Sequence, residues 1–109
     1  MTEAHAADEP ELRLKWRHTW ENKGPDYAAH TDAYEVPVGR IYLIKQGPQQ
    51  GRWFWSMTAS GPEISRNSGD HSGKADSPRE AARLVEDAWF AAIKGSSLEP
   101  NAYATAKAR

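Results

Sequence analysis

No cysteine occurs in the 109 residues. Disulfides, thiol nucleophiles and thiolate metal sites are thereby excluded together, and a reducing cytoplasm becomes the expected location. Long apolar runs are missing too. No stretch approaches the roughly 18–20 residues that cross a bilayer, so no membrane partner is expected. The opening MTEAHAADEP lacks the basic region and apolar run of a secretory signal. Excess charge is also absent: Lys and Arg total 14 against 15 Asp and Glu, for a net charge of −1. No global basic field announces a nucleic-acid partner. The four histidines, His5, His18, His30 and His71, never fall at ligand spacing. No metal or other cofactor is therefore expected. Asp70-His71-Ser72 holds triad residue types side by side, whereas a triad converges from distant positions. Ser68–Ala75 fails as a phosphate loop, with Ser68 where the first Gly belongs and Ala75 after Lys74. Neither an enzyme nor a small-molecule substrate is indicated.

Tryptophan is what the chain has in surplus, with five. Large aromatics dominate core and interface energetics alike, which raises the question of whether all five lie inside. Two of them sit in Gly39–Ala59, GRIYLIKQGPQQGRWFWSMTA, where two apolar runs flank a turn-rich QGPQQG. This stretch reads as a β-hairpin and the seed of a core.

Residues 1–10 read as a flexible acidic arm, 11–95 as one domain and 96–109 as a mobile tail. From Glu11 to Trp20 the pattern alternates strictly. Leu12, Leu14, Trp16, His18 and Trp20 share one face; Glu11, Arg13, Lys15, Arg17 and Thr19 share the other. A period of two is the mark of a half-buried antiparallel strand. Residues 21–33 carry loop punctuation in Gly24-Pro25-Asp26. A second strand is expected over 34–45, with a change of phase at Gly39 of the kind a β-bulge produces. Which of Arg40/Tyr42/Ile44 or Ile41/Leu43 faces the core stays open. A third strand covers 52–59. Residues 60–76 form a long polar loop, with a short fourth strand possible near 73–75.

Ser77-Pro78-Arg79-Glu80 is a capping box that opens a helix, and Gly95 stops it. Ala81, Val85, Ala88 and Ala92 make a small inner stripe, flanked by Ala82, Leu84, Trp89 and Ile93. Arg83, Glu86, Asp87 and Lys94 are expected to face solvent, with Phe90 on the same side. The expected fold is α+β: a three-stranded antiparallel meander packed on one C-terminal helix, β-β-β-α.

If the Leu12/Trp16/Trp20 and Trp53/Trp55/Met57 faces pack on the helix, the other face shows Arg13, Lys15, Arg17, Arg52 and Phe54. The phase of the second strand decides whether Arg40 and Tyr42 join them. Cations neutralise phosphate and aromatics stack on bases, so such a face suits nucleic acid. Trp, Tyr and Arg also anchor protein interfaces. A protein partner or a second copy of the chain ranks first, and nucleic acid is the alternative.

Gly39-Arg40-Ile41-Tyr42, Gly51-Arg52-Trp53-Phe54-Trp55, Glu80-Ala81-Ala82, Val85-Glu86 and Ala88-Trp89 together resemble a pattern in small uncharacterised bacterial and phage-associated proteins. That resemblance, over about residues 12–94, implies a fold and no activity or catalytic residue. Gly73–Arg83 is similar to the strand-to-helix passage of the ethylene-response type of plant DNA-binding domain. This second resemblance covers only the cap and helix. It implies a three-stranded sheet backed by one helix, with the sheet contacting DNA through Arg and Trp.

Overall fold

The computed structural model describes residues 12–21 and 24–99. The acidic arm and the end of the tail lie outside the described residues. Five strands form one antiparallel sheet in the order β1-β2-β3-β4-β5. They are β1 (Lys15–His18), β2 (Asp26–Thr31), β3 (Tyr34–Leu43), β4 (Trp53–Met57) and β5 (Ser72–Ala75), followed by the helix α1 (Pro78–Ile93).

The expected three-stranded β-β-β-α order is thus corrected to five strands and a helix. The fold class, α+β with an antiparallel sheet, stands. β2 reads as loop because Asp26, Ala28 and Ala29 have poor strand propensity. Pairing on both sides overrides that preference: β2 is flanked by β1 and β3, and both alanines are buried. β5 is the faint strand of the 60–76 loop made real. Its Gly73 lies under the Trp55 indole, where a Cβ would come 2.9 Å from Nε1.

β1 is shorter than the alternation predicts, beginning at Lys15 rather than Glu11. The residues before it leave the sheet for the helix. The backbone N–H groups of Arg13 and Leu14 donate to the Glu86 carboxylate at 2.8–2.9 Å, and so does Trp16 Nε1 at 2.9 Å. Glu86, expected in solvent, is fully buried. Asp87 stays exposed and takes Arg13 Nη2 at 2.7 Å. Phe90 is half-buried, with the Arg13 guanidinium 4.4 Å from its ring centre.

The change of phase in β3 falls where Gly39 suggests. Ala29 pairs with Gly39, but Thr31 pairs with Tyr34, so the ladder is irregular between those points. Pro37, which has no N–H to give, occupies that stretch. Beyond it Gly39, Ile41 and Leu43 pair with Met57, Trp55 and Trp53 on the helix side. The helix lies close here: a Cβ on Gly39 would meet Val85 Cγ1 at 2.2 Å. The small stripe of Ala81, Val85, Ala88 and Ala92 permits that approach, and Trp55, Met57 and Trp89 fill the space around it.

Ser77 caps α1 by accepting from Glu80 N, and Glu80 reaches back to Asp76 N. The irregular 58–71 segment is tied to the far end of the helix. Ile64 is buried, Ser65 N donates to Ala92 O at 2.8 Å, and Glu63 takes Ser97. The helix lies over β3, β4 and β5. Beside it Trp16, Tyr27, Ile41 and Pro78 line a groove of about 280 Å³, with Arg79 the charged member of its lining.

Candidate functional site

The face of the sheet away from the helix is fixed by the same registers. Arg17, Ala28, Arg40, Ser56 and Ser72 form one row across all five strands; Asp26, Tyr42, Phe54 and Lys74 form the next. Lys15 and His30 pair at one margin. Strand geometry delivers this arrangement directly, because residues directly opposite in an antiparallel ladder share a face.

Arg40 is the centre of the face. Asp26 grips it with both oxygens, Nε to Oδ1 at 2.9 Å and Nη2 to Oδ2 at 2.6 Å. The guanidinium lies 5.9 Å from the Trp20 ring and 5.0 Å from that of Tyr42. Trp20 Nε1 donates to Asp26 Oδ2 at 3.1 Å. A bidentate pair of this kind fixes orientation as well as charge. Tyr42 in turn lies against Phe54, with ring centres 5.2 Å apart. The result is a cation held between two aromatic rings, with a third ring against one of them, on an open sheet surface.

The titration behaviour follows from these contacts. The Arg40 guanidinium holds the Asp26 carboxyl below its ordinary value, against the opposing effect of burial. Asp26 raises Arg40 in return. His30 is pushed below the ordinary imidazole value by burial and then by the Arg17 and Lys15 cations. Lys15, Arg17 and Lys74 form no ion pair among the described residues.

Of the seven residues expected on this face, Lys15, Arg17, Arg40, Tyr42 and Phe54 are brought together. Arg52 stands at the margin, held by Asp76 at 3.2 Å and by Gln49. Arg13 is a correction: it precedes β1 and lies over the helix, because Glu86 draws its backbone away from the sheet. Trp20 is a correction of the opposite kind. Expected inside with Leu12 and Trp16, it is 55% exposed and sits on the outer cluster. Three participants escape the sequence reading: Asp26 and His30, hidden in the presumed loop, and Lys74, on the strand considered only as a possibility. The alternation Ser72/Lys74 against Gly73/Ala75 is the signal that could have found Lys74.

Among the described residues no group of three or more His, Asp or Glu is placed to hold a metal ion. No described helix is long and apolar enough to cross a membrane. Comparison with protein-family models, with curated proteins and with solved structures finds no match.

Proposed function

We propose that the chain is a non-enzymatic binding domain whose working surface is the outer face of the sheet, and that its partner is nucleic acid. One observation carries this reading: the segregation of charge. The paired rows of the outer face, extended to Arg52 and Asp76, place Lys15, Arg17, Arg40, Arg52 and Lys74 against the two carboxylates Asp26 and Asp76. The whole chain is net −1. A local cationic surface with aromatic rings at its centre has the chemistry that phosphates and bases require. A cytoplasmic location fits a partner of this kind.

The ranking differs from that of the sequence alone, which puts a protein partner or a second copy first. A protein contact is marked by a contiguous apolar patch of several hundred Å². Among the described residues the exposed large apolar side chains are Trp20 and Val36; Trp20 lies against Arg40, whereas Val36 lies in the irregular part of β3. Phe54 is half-buried between Tyr42 and Lys74. The non-enzymatic reading draws support from Glu86 and Asp87, the paired carboxylates of the helix. Glu86 is consumed by the Arg13, Leu14 and Trp16 donors and Asp87 by Arg13.

Salt dependence tests the proposal. Binding to a random-sequence mixture of DNA and RNA should weaken about 20- to 40-fold between about 50 and 200 mM salt, the slope for three phosphate contacts. No binding by the folded protein at low salt would remove the reading.

A further inference from the structure

We infer that the nucleic acid taken by this face is single-stranded and lies across the strands, with bases on Tyr42 and Phe54; the inference rests on the nucleic-acid reading and sharpens it. Width is the first argument. Neighbouring strands lie about 4.8 Å apart, so β1 to β5 spans roughly 19 Å. The major groove of B-DNA is about 12 Å wide. The cations that form no ion pair among the described residues stand at both edges, Lys15 and Arg17 on β1 and Lys74 on β5. A sheet of that width cannot enter the groove whole, so at least one edge strand with its cations lies outside it. A three-stranded sheet would not meet this obstacle; a five-stranded one does.

Relief is the second argument. The helix lies on the opposite side, and the 58–71 segment is bound to the helix end through Ser65–Ala92 and Glu63–Ser97. Neither of these stands up from the outer face to reach into a duplex.

The aromatic centre is the third. Tyr42 and Phe54 are cross-strand neighbours with ring centres 5.2 Å apart, both half-buried, so packing fixes them while part of each ring meets solvent. The Arg40 guanidinium, locked by Asp26, continues that surface as a further stacking plane. Lys74 is the cross-strand neighbour of Phe54, within reach of the phosphate beside a base stacked there. Arg17 shares a row with Arg40 and serves the other end. Every base has a π face, so binding of this kind is tolerant of sequence, with a site on the order of four nucleotides.

Fluorescence anisotropy of the full chain tests this, using labelled oligothymidylate of about 12 nucleotides and a mixed-sequence duplex of equal length. The single strand should bind at least about tenfold more tightly. Tyr42→Leu and Phe54→Leu should each weaken it about 5- to 150-fold at an unchanged salt slope. Phe54→Trp, which restores a ring, should retain affinity, and Arg17→Gln with Lys74→Gln should lower the slope by about two contacts. Equal or tighter duplex binding overturns the single-strand inference and leaves the nucleic-acid reading standing. Absence of binding to either probe at low salt, by protein that melts cooperatively, removes both. Single-strand binding indifferent to Tyr42→Leu and Phe54→Leu sinks the stacking arrangement. A concentration-dependent dimer abolished by Phe54→Ala, with neither oligonucleotide bound, assigns the face to self-association instead.

Discussion

Glu86 shows how much one side chain can decide. Its carboxylate is fully buried and receives three N–H donors from a segment 70 to 73 positions away. Replacing it by Gln keeps the shape but turns an amide NH₂ toward groups that also donate. Donors left unsatisfied in a buried site cost about 1–3 kcal/mol each. Glu86→Gln should therefore lose about 2–4 kcal/mol in urea denaturation, while Asp87→Asn, at the exposed neighbour, stays within about 0.5. Equal losses for the two would refute this account of the site. His30 and Asp26 contribute to the acid limb of stability. Both have folded values below their ordinary ones of 6.5 and 3.8. Each therefore contributes stability that is complete above the ordinary value and is lost as pH falls through the folded one. The urea midpoint should drop first below pH 6.5, through His30, and His30→Gln should flatten that first decline. An identical profile for the variant would exclude His30 as its source.

Elements differ in how openly the sequence displays them. The helix was legible because its cap, stripe and stop are local signals: Ser77, Pro78 and Glu80 at one end, Gly95 at the other. β4 and most of β3 were legible by alternation, and the phase change near Gly39 was visible as a break in parity. β2 was not, because its credentials are its neighbours rather than its residues. Ala28 needs to be small where Arg17 and Arg40 flank it, and Ala29 where it faces Gly39 beneath the helix. The site suffered in proportion. Arg40, Tyr42 and Phe54 were readable as one face, whereas Asp26, which fixes Arg40, lay in the unread strand. The close approach of α1 to β3 gives a prediction at this scale. Gly39→Ala should destabilise by about 1–3 kcal/mol through overpacking against Val85. In a Val85→Ala background the same change should cost at least about 1 kcal/mol less. Simple additivity of the two would mean that the helix does not press on Gly39.

For the molecule as a whole, the sheet has two unlike faces. One carries Trp55, Met57, Ile41 and the helix; the other carries its cations in the open. Edge strands are exposed to pairing with other chains, and short length and Lys or Arg side chains blunt that tendency. β1 and β5 are each 4 residues long and hold Lys15, Arg17 and Lys74. The same residues can thus keep the sheet from extending itself and meet phosphate, so the salt slope separates the two roles. A purely protective role leaves nucleic acid unbound; the proposed role requires the 20- to 40-fold loss of affinity at about 200 mM salt given above.

The crossing of residues 13–14 to Glu86 bears on which parts of the chain open together. Amide protons outside any helix or strand ordinarily exchange with solvent early. Those of Arg13 and Leu14 are fastened to a buried carboxylate on the last element of the fold. They should open only when the helix leaves the sheet, and so exchange as slowly as the amides at the centre of α1. In Glu86→Gln they should become fast while the α1 core stays slow. By this measure the beginning of the described chain is a clasp, released only with the helix that holds it.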